Sequence, residues 1–109
     1  MAKHEFGIME RPPIHGERYD CYEPEKYHCI RVDDDLIEGL LPAIARIDLF
    51  WHCLDVPGKG LAYCGITLIP PESMAAVIEI IQDIPGLEEL KHLLSKAKDD
   101  NRFIIHFGL

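Results

Sequence analysis

The chain has no apolar run long enough to cross a bilayer. The longest, Leu36 to Leu54, is interrupted by Arg46 and Asp48, whereas a spanning helix needs about 20 apolar residues. A membrane-spanning segment and a membrane partner are therefore not expected. Clustered Lys and Arg interleaved with aromatics are also missing, which excludes the electrostatic footprint of a nucleic-acid binder. The opening Met1-Ala2-Lys3-His4-Glu5-Phe6-Gly7 carries neither the apolar core nor the small-residue cleavage site of a secretory signal, so the expected location is cytoplasmic.

Several catalytic spacings are lacking as well. There is no G-x-G-x-x-G and no G-x-S-x-G, and the only two serines are Ser73 and Ser95. Pro57-Gly58-Lys59-Gly60 contains a Gly-Lys pair without the upstream glycine or the following Ser or Thr of a phosphate-binding loop, and reads as a turn. No C-x-x-C or H-x-x-x-H occurs, so no short spacing brings two metal ligands onto one turn or knuckle. No cofactor is expected.

What is present suits one globular domain: 109 residues, 48% hydrophobic and 28% charged, enough to build a core without staples. Nineteen acidic against eleven basic residues give a net charge of -8, which favours basic partners or cations over polyanions. Cys21, Cys29, Cys53 and Cys64 are expected to stay reduced in a cytoplasmic chain of this size.

Residues 1–25, punctuated by Gly7, Pro12-Pro13, Gly16 and Pro24, read as an irregular arm, leaving 26–109 as a single α+β domain. Lys26 to Val32 alternates as a first strand. Asp33-Asp34-Asp35 then precedes apolar residues spaced by three and four from Leu36 to Leu54, one face of a helix, with Asp35 and Glu38 matching a capping box. Pro42 calls for a kink near Gly39. The alternative ends that helix near Ile47 and makes Leu49 to Leu54 a strand, in a hairpin across Val56 to Gly60.

Leu61 to Ile69, apolar on both faces, is the expected middle strand. Pro70-Pro71-Glu72-Ser73 starts a helix running to Asp83, a second follows Pro85-Gly86 from Leu87, and Phe103 to Phe107 closes the sheet. The predicted architecture is a small two-layer domain. It has a sheet of three to four strands, about three helices, the order β-α-β-α-α-β and a right-handed crossover between the first two strands.

The candidate metal ligands are His28, Cys29, His52, Cys53, Asp33 and Asp35, with the carboxylates at a strand-to-helix junction where ligands often bind. Adjacent His-Cys pairs diverge on either a strand or a helix, so one pair seldom supplies two ligands. Cys29 and Cys53 become nucleophiles only if the fold brings a base to them. Tyr19 and Tyr22, in the arm, are the candidate interaction residues. The functional expectation is a non-catalytic acidic binding or regulatory module. It acts through protein–protein contacts with a basic partner or through self-association. The alternative is a small metal-dependent or cysteine-dependent enzyme using the His/Cys/Asp set.

Overall fold

The computed structural model describes residues 2–109. Six strands form one sheet: β1 (Lys3–Ile8), β2 (Ile30–Asp33), β3 (Asp48–Trp51), β4 (Pro57–Lys59), β5 (Ile66–Ile69) and β6 (Ile104–Phe107). Four helices accompany them: α1 (Asp34–Glu38), α2 (Leu41–Ile44), α3 (Pro71–Ile81) and α4 (Glu88–Asp99). The α+β class is as expected, with more strands than the three to four anticipated.

The strand order is β2-β1-β6-β5-β3-β4, and every pairing is antiparallel. No parallel crossover joins the first two strands, because β1 lies inside the stretch expected to be irregular. In β1 the side chains of His4, Phe6 and Ile8 alternate with those of Lys3, Glu5 and Gly7, and four consecutive residues from His4 to Gly7 are buried. Such burial on both faces is what an inner strand requires.

The helix expected over Leu36 to Leu54 is instead two short helices followed by β3. Pro42 falls in the first turn of α2, where its missing N–H removes no helical bond. Beyond Ile47 the chain turns into β3, so the strand alternative is realised in part, but the Pro57–Lys59 stretch expected as its turn is itself strand β4, paired with β3. The first-strand expectation shrinks to β2, since Lys26 to His28 is turn and Cys29 is irregular, and the Leu61 to Ile69 strand shrinks to β5. The expected capping box is absent: α1 starts at Asp34 and makes no side-chain cap bond.

One sheet face packs under the helices. Phe6, Val32, Leu49, Ile69 and Ile104 meet Ile37, Met74, Val77, Ile81, Leu90, Leu94 and Ala97 in one buried cluster. Residues 10–29 cross the other face, where Met9, Ile66, Leu68, Ile105 and Phe107 pack with Tyr19, Tyr27, Cys29 and Phe50. The arm is pinned by Tyr19 N–H to the His52 carbonyl at 2.7 Å. His15 Nδ1 and the Gly16 amide hold Asp55 at 3.0 and 2.9 Å.

Gly7 permits this crossing. A Cβ there would lie 2.7 Å from both the Tyr27 Cβ and its carbonyl oxygen, and 2.8 Å from Cys29 Sγ. Gly7→Ala is expected to cost about 1–3 kcal/mol and to expose 10–29 to protease. Urea unfolding and limited proteolysis check it, and wild-type behaviour in both would mean that the arm does not bear on β1.

Candidate functional site

The arm leaves part of its sheet face uncovered. Register places Arg31 opposite Glu5, Glu5 opposite Phe107 and Phe107 opposite Ile66. This row across β2, β1, β6 and β5 floors an open cleft of about 470 Å³, a size suited to a small ligand or a side chain. Its walls include Tyr22 and Asp20 from the arm, His52 after β3, Cys64 and Gly65 before β5, and Leu109. A second cleft of about 510 Å³ shares Glu5, Tyr22 and Arg31 and adds Glu25, His28 and Cys29.

Glu5 is a carboxylate only 8% exposed. One of its oxygens accepts the Tyr22 hydroxyl. The other has no hydrogen-bond partner among the described residues yet is not sealed in, so it opens on the clefts. Tyr22 stands edge-on to the Phe107 ring at 5.4 Å between centroids and is 63% exposed. Its hydroxyl pKa is raised, first by the bond to Glu5 and then by desolvation. A buried anion beneath an exposed aromatic ring is a receptor for a cation.

The sequence candidates are spread through the fold rather than gathered at this cleft. His28 is exposed with a φ of 51°. Cys29 is half-buried, and burial first, then the charge of Glu5, pushes its thiol up to about 12, which makes it a poor nucleophile. Cys53 is buried and all four cysteines are free thiols. Asp33 pairs with Lys3 at 2.9 Å. Tyr19 docks half-buried against the sheet while Tyr22 stays outside.

Among the described residues the only three potential metal ligands within 4.8 Å of one another are Asp34, Asp35 and Glu38. Acidic residues in a first helical turn are favoured by the helix dipole alone. His28, Cys29, His52 and Cys53 enter no such group.

His52 is the one sequence candidate whose surroundings have chemical direction. Its Nδ1 lies 3.1 Å from the Tyr19 carbonyl and 3.0 Å from Asp20 Oδ1. Both oxygens only accept, so Nδ1 carries the proton and a neutral ring presents a bare Nε2.

Behind the cleft floor, on the helix-covered face, runs a polar chain that no sequence spacing announces. His4, Thr67 and His106 are all fully buried, on three adjacent strands. Asp34 Oδ1 lies 2.9 Å from His4 Nε2, His4 Nδ1 is 2.8 Å from His106 Nε2, and His106 Nδ1 is 3.2 Å from Thr67 Oγ1. The Tyr63 hydroxyl donates to both Asp34 oxygens at 2.7 and 2.8 Å, and the Ala62 amide donates to Thr67 Oγ1 at 2.8 Å.

With both rings neutral, one tautomer set pairs every atom. Asp34 only accepts, so His4 carries its proton on Nε2. His4 Nδ1 then accepts from His106 Nε2–H, and His106 Nδ1 accepts from the Thr67 hydroxyl. Asp34 is held below the usual carboxylate range by Tyr63 first and His4 second. Tyr63 is pushed up to about 12, chiefly by its bond to Asp34. Burial, with His4 adding to it, drives His106 down to about 3.

Neither imidazole has a free nitrogen, so the chain does not touch a ligand. It fixes the Ala62–Gly65 turn, which carries Cys64 to the cleft. Glu5, Asp20 and His4 were not among the candidates. Only the alternation of His4 and Phe6 hinted at them. No family model, curated protein or solved structure matches this chain.

Proposed function

We propose that this chain is a non-catalytic binding or regulatory module that holds a basic side chain of a protein partner against Glu5 and Tyr22. The observation that carries the reading is the Glu5 carboxylate, 8% exposed, with one oxygen open to both clefts. An incoming Lys or Arg supplies the missing donor and lays its stem on the exposed Tyr22 ring, a charge-assisted bond combined with a cation–π contact. Glu25, Asp20 and the net charge of -8 add attraction at longer range.

The reading places the protein in the cytoplasm and takes a protein, not nucleic acid, as partner. No helix among the described residues is long and apolar enough to cross a membrane.

Titration calorimetry with short Lys- and Arg-containing peptides tests it. Binding is expected to weaken markedly between about 0.02 and about 0.3 M salt. Glu5→Gln and Tyr22→Ala are each expected to weaken it about tenfold or more. Arg31→Gln removes the cation opposite Glu5 and is expected to tighten it. Salt-independent binding that survives Glu5→Gln would overturn the proposal. A concentration-dependent dimer lost in Glu5→Gln would replace the partner by a second copy of the chain.

A further inference from the structure

The same cleft contains a nucleophile, a base and a group that orients the base, and the binding function uses neither the nucleophile nor the base. Cys64 is exposed on the Ala62–Gly65 turn, and His52 and Asp20 line the cleft with it. Asp20 is itself fixed, its Oδ2 accepting from Arg18 Nε at 2.7 Å while Oδ1 faces His52 Nδ1 at 3.0 Å.

Local geometry aims the free His52 nitrogen at the turn. A Cβ built on Gly65, the neighbour of Cys64, would lie 2.9 Å from His52 Nε2, so glycine is what lets the ring approach. His52 is a non-glycine residue at φ 66°, a backbone conformation L-residues seldom adopt without cause. An oriented imidazole whose basic nitrogen lies beside the turn that carries a thiol is placed to serve as the base for a cysteine nucleophile. The other thiols lack it: Cys53 is buried, Cys29 is half-buried with its thiol pushed up to about 12, and Cys21 lines neither cleft on this face.

We propose that Cys64 is a thiol–disulfide exchange site served by the Asp20–His52 pair, and that its substrate is a small disulfide bearing carboxylates. His52 Nε2 takes the Cys64 proton as Sγ attacks one sulfur of R–S–S–R. The new bond joins Cys64 to one R–S group and the old S–S bond breaks. The other sulfur leaves with the electron pair as R–S⁻ and receives the proton from His52, so one thiol is consumed and one released. The substrate class follows from Arg31, a cation on the cleft floor with no ion-pair partner among the described residues. It is free to hold a carboxylate.

The test treats reduced full-length protein with two probes, a neutral hydroxyalkyl disulfide and a carboxylate-bearing peptide disulfide. Adducts are followed over time by intact mass and peptide mapping. With both probes Cys64 is expected to react about tenfold or more faster than Cys21, which is also exposed. Asp20→Asn and His52→Gln are expected to erase that advantage while leaving the Cys21 rate unchanged, which also serves as the control for folding. Arg31→Gln is expected to slow the peptide disulfide alone. Equal rates at Cys64 and Cys21, or a Cys64 rate indifferent to Asp20→Asn and His52→Gln, would overturn the exchange site. If Arg31→Gln slowed both probes alike or neither, the assigned substrate class would be wrong. None of these readouts depends on binding of a basic peptide, so this site and the binding function fail separately.

Discussion

Lowering the pH from about 7 to about 5 is expected to cost this protein about 2 kcal/mol of folding stability, and His106 is the reason. In the unfolded chain its imidazole titrates near 6.5, whereas burial holds the folded group at about 3. Between those values the unfolded state binds a proton that the folded state refuses, so stability rises with pH. The slope is about 1.4 kcal/mol per pH unit, and the loss levels off below about 3. Asp34, held below its ordinary 3.8, adds loss in the same direction only as pH falls through and below that value. At the alkaline end the raised Tyr63 works oppositely, and stability drains as pH climbs from 10 to about 12. Urea midpoints across pH 4 to 8, taken as about one-unit steps, measure the slope. His106→Gln, which does not titrate, should flatten it whatever its effect at pH 7. A wild-type protein equally stable at both ends would mean that His106 accepts its proton in the folded state.

Replacing His4 by Leu is expected to destabilise the fold by about 2–4 kcal/mol. Leucine belongs among Phe6 and the helix-face core, but it accepts no hydrogen bond. His106 Nε2–H, fully buried and now 2.8 Å from its acceptor in His4, is left unpaired. The substitution also releases one of the donors to Asp34 and removes the ring on which Tyr63 leans at 5.3 Å. The Ala62–Gly65 turn then loosens, and faster amide exchange is expected there. Thr67→Ser keeps the hydroxyl and should stay within about 1 kcal/mol of wild type. Equal stability of wild type and His4→Leu would show that the polar chain carries no net stabilisation.

The elements that sequence reasoning recovers are those whose local pattern and tertiary role agree. Met74, Val77 and Ile81 on α3, and Leu90, Leu94 and Ala97 on α4, are buried as their spacing requires. β6 keeps Ile105 and Phe107 on one face as the alternation implies. β1 escapes because its core face carries a histidine and its other face a charge and a glycine. Lys3-His4-Glu5-Phe6-Gly7 looks polar until Asp34 supplies a partner for His4 and the arm covers Gly7. Leu36 to Leu54 misleads for the opposite reason. Its helical spacing is real through Ile44, but Leu49 is buried as a strand residue opposite Gly58, and tertiary pairing decides a short apolar run.

The site was less legible than the fold, because its members meet only through sheet register. His4 and His106 are separated by 102 positions, and Arg31, Glu5, Phe107 and Ile66 form a row only once three strand pairings are known. Cys64 falls within Leu61 to Ile69, whose apolar residues on both faces predict a buried strand. Gly65 ends a turn there, with its amide 3.1 Å from the Ala62 carbonyl, and puts the thiol outside. Of the Asp33–Asp35 triple, Asp33 is tied to Lys3 and Asp34 to His4 and Tyr63, links that nothing around the triple foreshadows.

Mapping amide shifts by NMR while a short basic peptide is titrated into the labelled protein tests the binding function most directly, since it reports where the ligand sits. The largest shifts are expected at Glu5, Tyr22 and Arg31 and along their row to Phe107, vanishing in Glu5→Gln. Shifts centred on α3 and α4, or a pattern unchanged by Glu5→Gln, would contradict it.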